Sequence, residues 1–338
     1  MGKVGTDDVA LANHTSGTFP QATPGTGLAV STTMTLTGTT AGNYTLSQPA
    51  GLQADIGKMA LTVTADPQTK VYGDSDPALS YQITAGTLAS GDSFSGGLDR
   101  APGDNIGTYA IGQGTLAVTA NYTITFVSDD LTITKRPLTV TADPQTKVYG
   151  QNDPALTYQL TSGNLVGADT FSGALGRAPG DDAGIYAINQ GGVTAGGNYN
   201  ITFVADNLTI TAKGLTVTGA AALDKEYDRN DAAVISGATL SGVEAGDVGQ
   251  VSLVGGTSGT FAQRTVGSGI SVGTAMTLTG AKSSNYSLTQ PSGLTADITP
   301  KPLTVTGTVA GKTYDGTTTA PLSGATLQGV ISGDTVTL

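Results

Sequence analysis

The chain has no cysteine and no tryptophan, and aromatic residues make up only 5% of its 338 residues. The absence of cysteine excludes disulfides and thiolate metal sites. With so few aromatics and a charged fraction of 12%, the cores must be built from Leu, Val, Ile and a few Tyr and Phe. Such thin cores favour several small domains over one large domain.

Positive charge is also scarce, because 15 Lys and Arg stand against 26 Asp and Glu, for a net charge of −11. The basic residues form no run, and phosphate-binding surfaces need clustered Lys and Arg, so we expect no nucleic-acid partner. No stretch reaches the roughly 18 apolar residues of a membrane helix, so we expect no membrane span. No apolar segment follows Met1–Val4, and we expect any export signal to lie elsewhere.

Internal repeats are the main feature that the sequence does contain, and they are sought first because they decide the fold class. Leu61–Gly73 returns unchanged as Leu138–Gly150. A looser element, Lys-x-Tyr followed by Gly or Asp, begins at four lysines: Lys70, Lys147, Lys225 and Lys312. An Asn-Tyr pair opens a later strand four times, at Asn43, Asn121, Asn198 and Asn285.

The order of these elements predicts the domain organisation. Three Lys-x-Tyr elements pair with a following Asn-Tyr element, which predicts whole domains at 59–135, 136–212 and 213–299. Residues 1–58 repeat the second half of 213–299, so we expect a C-terminal half-domain there. Residues 300–338 repeat its first half, which predicts an N-terminal half-domain.

The pattern within each repeat predicts short β-strands. Tyr122, Ile124 and Phe126 alternate with threonines, a period of two that is typical of a half-buried strand. Gly, Pro, Asp and Asn interrupt the chain every few residues, as in domains made of many short strands. We therefore predict an all-β fold of tandem small β domains. Each domain is β-sandwich or β-grasp-like, the latter if Gly91–Asp92 forms a short helix.

The junctions between repeats are short and rich in proline. Only Lys135–Pro137 separates two predicted strands, and Pro300–Pro302 stands before the last repeat. Proline fixes its own φ and restricts the residue before it. The sequence therefore predicts semi-rigid linkers that join the domains into an elongated rod or filament.

These motifs resemble two known domain families. The repeats at 59–135 and 136–212 resemble the MBG domain family, and the segments around Glu226–Asp228 and Tyr314–Gly316 resemble the YDG domain family. Arg229 stands where the YDG pattern has glycine. The resemblance implies very large, repetitive bacterial surface proteins, and hence a structural stalk or fibre segment of an extracellular adhesin. It implies no catalytic residues, so we expect no enzyme, no cofactor and no metal site.

Two groups of polar residues could carry chemistry in place of structure. Asp74–Asp76 has the clustered oxygen atoms that calcium prefers, and Asp228, Asn230 and Asp231 form a similar group. A turn before Pro77 explains the first group better, because the next repeat has Gln151 where Asp74 stands. The four Lys-x-Tyr lysines could form isopeptide crosslinks, or their stems could simply cover apolar surface.

Further candidates are single residues. His14, the only histidine, is expected to be an exposed loop residue and not part of a catalytic triad. Six asparagines fit the glycosylation sequon, and strand structure explains most of them: Asn13, Asn43, Asn121, Asn200, Asn207 and Asn285. The tyrosines of the Asn-Tyr pairs could stack on sugars, and we expect them to be core residues instead: Tyr44, Tyr122, Tyr199 and Tyr286.

The sequence is compatible with two functions from different classes. The first is the structural stalk, whose partners are copies of the chain or flanking repeats of one giant chain, end to end. The second is a module that itself binds host or environmental glycan or mucin, which needs an exposed aromatic cluster or groove. The half-domains at 1–58 and 300–338 are complementary. They are either cut points in one long chain or halves that complete each other by strand exchange between copies.

Overall fold

The computed structural model describes residues 2–338, which divide into two compact units. The first unit contains the described residues up to Leu138 together with Ser162–Phe171 and Ala195–Thr202. The second contains Thr139–Thr161, Ser172–Thr194 and Phe203–Leu338.

The strands are short throughout the described chain. Those of the first unit are β1 Ala10–Ala12, β2 Gly25–Ala29, β3 Thr35–Thr37, β4 Gln53–Ile56, β5 Met59–Ala65, β6 Gln68–Val71, β7 Tyr81–Ala85, β8 Asp99–Arg100, β9 Gly107–Gly112, β10 Tyr122–Val127 and β11 Asp129–Thr134. Three strands contribute residues to both units, namely β12 Arg136–Ala142, β14 Tyr158–Ser162 and β17 Tyr199–Val204.

The second unit contains the remaining strands. They are β13 Gln145–Val148, β15 Gly176–Arg177, β16 Gly184–Asn189, β18 Asp206–Thr211, β19 Lys213–Thr218, β20 Ala221–Ala222, β21 Lys225–Glu226, β22 Ala232–Ser236, β23 Thr239–Ser241, β24 Ser252–Val254, β25 Ser258–Phe261, β26 Gly267–Gly273, β27 Thr277–Thr279, β28 Tyr286–Thr289, β29 Thr295–Thr299, β30 Thr304–Val309 and β31 Leu322–Gln328. The helices among residues 2–338 are three 3₁₀ turns, Ala41–Asn43, Ala245–Asp247 and Ser283–Asn285.

The first unit contains both sheets of the first repeat. Its strands form a three-stranded sheet in the order β10-β5-β7 and a four-stranded sheet in the order β6-β11-β9-β8. β5 pairs in parallel with β10, and β11 pairs in parallel with β6. Alternate residues of β5 are buried, as a period of two requires. Ala65 of β5 packs with Ile111 and Leu131 of the four-stranded sheet, which joins the two sheets in one core.

The second unit contains the same four-stranded arrangement and a larger relative. Strands β13-β18-β16-β15 repeat the order and parallel pairing of the first repeat. Residues 213–299 add the sheet β23-β19-β28 and the six-stranded sheet β20-β22-β25-β26-β29-β21. The core of this part includes Ile235, Phe261 and Ile298, each no more than 2% exposed. The all-β prediction is confirmed.

The structure bears on two further expectations, the short helix at Gly91–Asp92 and the membrane span. The segment at Gly91–Asp92 is a turn, in which the amide of Asp92 donates to the carbonyl oxygen of Ala89 at 3.1 Å. The helix that a β-grasp-like arrangement requires is therefore not formed at that segment. In the part of the chain that the structure describes, no helix is long and apolar enough to cross a membrane.

The first and last segments differ from the repeats between them. Residues 2–58 form the strand pairs β1-β3 and β2-β4, and residues 300–338 form the pair β30-β31. All buried hydrophobic residues of the described chain lie between Leu61 and Ile298. Both outer segments therefore bury only in part, or leave exposed, the apolar positions that their counterparts in 213–299 bury fully.

Candidate functional site: the joints between repeats

The lysine of the Lys-x-Tyr element is a centre of ion pairs. In the first repeat, Lys70 Nζ donates to Asp76 Oδ1 at 2.6 Å and to the carbonyl oxygen of Asp74 at 3.1 Å. Arg100 Nε donates to the other carboxylate oxygen of Asp76 at 2.6 Å. The Lys70 side chain is only 7% exposed, so its charge is balanced by a partner in the same repeat.

These cations determine the charge of Asp76. Hydrogen bonds from Arg100 and then from Lys70 lower the pKa of Asp76 from 3.8 to about 2. Asp76 therefore stays a carboxylate at neutral pH and forms an ion pair. A carboxylate that faces a lysinium is a poor electrophile, because amide formation needs a neutral amine and a protonated, polarised carboxyl group. The arrangement opposes the isopeptide alternative at Lys70.

The other copies of the element repeat this chemistry, each with an aspartate of its own loop. Lys147 Nζ donates to Asp153 Oδ1 at 2.7 Å. Lys225 Nζ donates to Asp228 Oδ1 at 2.6 Å, and it also lies 5.7 Å from the centroid of the Phe261 ring. Lys312 Nζ donates to Asp315 Oδ1 at 2.9 Å. The lysine head group thus organises its own loop in every copy, beyond the apolar cover that the sequence predicted for its stem.

The tyrosine of the same element reaches into the next repeat. Within the first unit, the Tyr72 hydroxyl donates to Asp169 Oδ2 at 3.0 Å. The Tyr199 hydroxyl donates to the same oxygen at 2.6 Å. The two rings meet edge to face with centroids 5.4 Å apart, a favourable aromatic geometry. We call this Tyr–Asp–Tyr arrangement the first joint.

The second unit contains the same arrangement, which we call the second joint. The hydroxyls of Tyr149 and Tyr286 donate to Asp247 Oδ2 at 2.8 and 2.6 Å, and their ring centroids are again 5.4 Å apart. Asp247 is only 5% exposed. Burial, and next the hydrogen bond to Asp247, raise the pKa of Tyr286 from 10.0 to about 12. The second joint is therefore a cluster in which two neutral tyrosine hydroxyls surround the buried side chain of Asp247.

The asparagine before the second tyrosine completes both joints. Asn198 Oδ1 accepts a hydrogen bond from the amide of Ile106 at 3.1 Å in the first unit. In the second unit, Asn285 Oδ1 accepts from the amide of Ala183 at 2.7 Å. Asn285 is 1% exposed. A buried amide is costly unless it is hydrogen-bonded, so this residue fixes the position of one repeat against a backbone group of the repeat before it.

Glycine follows the joint tyrosine because of both backbone conformation and space. Gly73 has φ +83° and Gly150 has φ +84°, in the left-handed region that favours glycine. A Cβ atom at Gly73 would overlap the side chain of Val166, and one at Gly150 would overlap the carboxylate of Glu244. The next repeat therefore lies directly against this glycine in each joint.

The third copy of the element departs from this pattern. The left-handed residue is Arg229, with φ 68°, one of two non-glycine residues with positive φ in residues 2–338. Its side chain donates to the carbonyl oxygen of Ser332 at 3.0 Å and lies 3.5 Å from Asp334. The Tyr227 hydroxyl donates to Asp334 at 3.3 Å. These contacts join 213–299 to 300–338 and offset the backbone strain at Arg229.

The candidate calcium ligands and His14 have ordinary structural contacts. Asp74 accepts from Arg136 at 2.8 Å and Asp76 from Lys70 and Arg100, so both carboxylates contact cationic side chains. Within residues 2–338, no group of three or more His, Asp or Glu side chains is arranged to hold a metal ion. His14 is exposed, and its Nδ1 lies 3.0 Å from the carbonyl oxygen of Leu11.

The tyrosines and sequon asparagines divide into two groups. The core prediction is confirmed for Tyr122, Tyr199 and Tyr286, which are 5–7% exposed, so their rings are not available to stack on sugars. Tyr44 is only partly buried. Asn285 is buried, and four sequon asparagines are exposed: Asn13, Asn43, Asn200 and Asn207. Asn121 is partly buried.

Comparison with known proteins gives the family. The model of the YDG domain matches residues 1–51, 211–293 and 299–338, which together cover more than half of the chain. The model of the MBG domain (YGX type) matches residues 61–132 and 138–209. The chain therefore belongs to the YDG domain family and carries two MBG domains in tandem between its YDG segments. No curated protein matches it.

The family matches confirm the resemblance seen in the sequence, and the domain boundaries chosen there stay predictions. The joints were missed, because Tyr72 and Asp169 are 97 residues apart. A signal was present nonetheless. An aspartate recurs at the same place in successive repeats, before the Asn-Tyr pair that it contacts: Asp92, Asp169 and Asp247.

Proposed function

We propose that this chain is a structural segment of an extracellular bacterial adhesin, in which the repeats act as a stalk or fibre. The observation that carries the proposal is the recurrence of one joint with one geometry. Both complete joints have a shared carboxylate, two tyrosines 5.4 Å apart and an asparagine that binds the preceding repeat. A chain whose task is to keep its repeats in a fixed relation needs such joints at each boundary.

The physical content of the joint supports this role. A flexible linker leaves neighbouring domains free to reorient. Here the tyrosine of one repeat is packed into the hydrophobic cluster of the next, as Tyr72 is beside Leu138 and Tyr199. Bending at the joint would separate the two rings and leave the shared carboxylate without one of its donors, and both changes are unfavourable. We therefore expect the joints to resist bending.

The proposal assigns no catalytic, cofactor or metal role to any residue. One polar cleft, lined in part by Lys147, Asp153 and Arg177, lies beside the ion pairs that these three residues form. Its charges are already paired at hydrogen-bond distance. Our proposal also places the protein outside the cell, since a stalk acts there.

Small-angle scattering of the whole protein tests the structural role. The variants Tyr72→Phe and Tyr149→Phe each remove one hydroxyl from a joint, and we expect a broader distribution of interatomic distances in both. Tyr81→Phe is the matched control, because the Tyr81 ring contacts Phe94 within one repeat. Equal distributions for wild type and both joint variants would argue against joints that set the relation between repeats. Antibody labelling of intact cells tests the location.

The glycan- or mucin-binding alternative has one specific observation in its favour. Tyr314 is 93% exposed, and an exposed aromatic ring is a usual contact for sugars. Binding of the protein to a glycan array, lost in Tyr314→Ala, would support this alternative. We expect no binding on the array, because no second exposed aromatic residue is among the exposed large side chains of residues 2–338.

A further inference from the structure

The first repeat begins and ends on strands that pair with each other in parallel. β5, its first strand, pairs with β10 along six residues, with Met59 opposite Tyr122. β6, the next strand, pairs with β11, its last strand, so that Val71 is opposite Thr134. Because both pairings are parallel, the start of the repeat at Met59 and its end at Thr134 lie at opposite ends of the paired segments.

This arrangement determines how tension along the chain enters the repeat. The chain continues on both sides of residues 59–134, so tension pulls β5 and β6 toward their N-terminal ends and β10 and β11 toward their C-terminal ends. In a parallel pair these two directions are opposite along the strands. The hydrogen bonds of a parallel pair are evenly spaced along the strands, so they share the load in shear. A pull across the strands would instead open them one after another.

The residues between the paired strands lie outside the path of the load. Residues 72–121 connect β6 to β10 and include strands β7, β8 and β9. Tension passes from β5 and β6 to β10 and β11 directly, across the hydrogen bonds that join them. Residues 72–121 are therefore not stretched until these pairings break, and the repeat keeps its length up to that point.

Buried side chains oppose sliding of the paired strands. Val63 of β5 and Leu131 of β11 are 0% exposed, and Leu61 and Ile133 are 1% and 2% exposed. A shift by one residue would turn the side chains of a strand to the other face of its sheet. Such a shift exposes apolar surface and opens cavities, and both are unfavourable. The core therefore adds to the resistance of the hydrogen bonds.

A side-chain hydrogen bond strengthens the C-terminal end of the paired segments. The Thr134 hydroxyl donates to the carbonyl oxygen of Lys70 at 3.2 Å. The amide of Tyr72 donates to the carbonyl oxygen of Thr134 at 2.9 Å. Both bonds lie where β11 leaves the repeat, which is one of the two places where tension enters it. The Lys-x-Tyr element is thus tied through its backbone to the last residue of the repeat.

The same pattern recurs in the second unit. The Thr211 hydroxyl donates to the carbonyl oxygen of Lys147 at 3.2 Å, and the Thr299 hydroxyl to that of Lys225 at 3.3 Å. β13 pairs in parallel with β18, and β21 with β29. β19, the first strand of residues 213–299, also pairs in parallel with β28. The arrangement is therefore common to the MBG and YDG domains of this chain.

We propose that the paired terminal strands of the first repeat form a mechanical clamp, which bears tension along the chain by shear of parallel strands. Residues 213–299 contain the same device. The inference rests on the proposed structural role and adds the load that this role carries. The joints set the relation between repeats, whereas the clamp keeps each repeat folded under tension.

Single-molecule force measurements on the whole chain test the clamp by changing the direction of pull. The chain has no cysteine, so two introduced cysteines define where force is applied. Lys58→Cys with Lys135→Cys loads the first repeat in shear. Lys58→Cys with Ala120→Cys pulls β5 away from β10 across the strands. All three positions are exposed, so the two double variants should fold alike and differ only in the direction of the load.

The two directions should give different unfolding rates at one fixed force. We expect unfolding in shear to be about 100-fold slower or more, because several hydrogen bonds must break together in shear and one at a time across the strands. In shear, one step should lengthen the molecule by about 20 nm, the extended length of residues 58–135 less that of the folded repeat. Equal rates in the two directions, or lengthening in shear by many small steps, would overturn the inference. Thermal unfolding without force checks that the two variants are equally stable.

A single hydroxyl provides a second test. Thr134→Val removes the bond to the carbonyl oxygen of Lys70, and we expect unfolding in shear to become about fivefold faster with no change across the strands. Thr123→Val, the same substitution at an exposed position of β10, is the control and should leave both rates unchanged. An equal increase in both directions, or none in shear, would count against the clamp.

The force measurements are independent of the scattering test of the joints. The clamp lies within one repeat, and Tyr72→Phe leaves the pairing of its strands unchanged. Equal unfolding rates in the two directions, together with broader distance distributions in the joint variants, would reject the clamp and retain the structural role. Direction-dependent rates with unchanged distributions would do the reverse.

Discussion

The first and second joints show which part of the contact between repeats is fixed and which part varies. Both have the Tyr–Asp–Tyr cluster with the same ring separation. Their surroundings differ. In the first joint Val166 lies against the glycine, and in the second Glu244 does so and pairs with Lys213. An apolar neighbour in the first joint and a polar one in the second thus support the same geometry. The Tyr–Asp–Tyr cluster, and not the residues around it, therefore defines the joint.

Removal of the shared carboxylate should have the largest effect on stability, and the effect should be larger in the joint whose aspartate is more buried. We expect Asp247→Ala to lower the free energy of local unfolding by about 3 kcal/mol and Asp169→Ala by about 2 kcal/mol, because each leaves two tyrosine hydroxyls without an acceptor. Asp247 is nearly fully buried and Asp169 only partly. Hydrogen exchange resolved by segment measures both. Asp130→Ala, at an exposed position, is the control, and an equal loss there would contradict the assignment.

Substitution of the joint glycines by alanine should cost more stability in the first joint than in the second. Both sites carry the strain of a left-handed backbone, and Gly73→Ala also forces a methyl group into Val166, for a total cost of about 3 kcal/mol. At Gly150 the clash is with the end of a flexible Glu244 side chain, so we expect about 1.5 kcal/mol. Urea unfolding monitored at the joint tyrosines reports both costs. Gly97→Ala, which has open space around it, should change little, and equal costs at both joints would remove the distinction.

The rim contacts should have smaller effects that differ in salt dependence. Arg136 donates to the carbonyl oxygen of Tyr72 and to Asn164 as well as to Asp74. Arg136→Ala should therefore cost about 1 kcal/mol at low and high salt. Lys282 in the second joint contacts Asp182 at 2.6 Å on the surface. Lys282→Ala should lower the melting midpoint by about 1 °C or less, and this shift should vanish in high salt. A salt-independent loss at Lys282 would show that the rim matters more than the cluster.

The contribution of the second joint to stability should not change near neutral pH and should be lost only at high pH. Because the pKa of Tyr286 is raised to about 12, its contribution to stability is complete below the ordinary value of about 10. It is lost as the pH rises from about 10 through about 12. Burial and the bond to Asp169 also raise the pKa of Tyr199. Phenolate absorbance in wild type and Tyr286→Phe measures this, and a Tyr286 midpoint near 10 would mean that the second joint is open.

Much of the fold could be predicted from the sequence because its signals are local. Alternation of Tyr122, Ile124 and Phe126 with threonine marks a strand whichever sheet receives it. The glycines at 73 and 150 mark a left-handed turn. Repetition then multiplies each local signal, so that the all-β class and the two domain families followed without a structure. The burial of Tyr199 and Tyr286 followed for the same reason.

The joints could not be predicted in the same way, because their members come from different repeats. The sequence placed Lys70 and Asp76 near each other only as neighbours in a loop, and it did not show that Arg100 closes the network. The recurrence of Asp92, Asp169 and Asp247 marked the aspartates, but it did not connect Asp247 with Tyr149 of the preceding repeat. Such contacts depend on how one sheet meets the next, and no short pattern encodes that.

The sequence by itself determined that this chain is a series of small β units of the YDG and MBG types, because period, turn residues and repetition act over a few residues at a time. Only the tertiary structure decided what the Lys-x-Tyr element does. Its lysine closes its own loop, and its tyrosine enters the next repeat and shares a buried carboxylate there. The physical reason is that a buried aspartate needs donors, and the fold alone decides which tyrosines reach it.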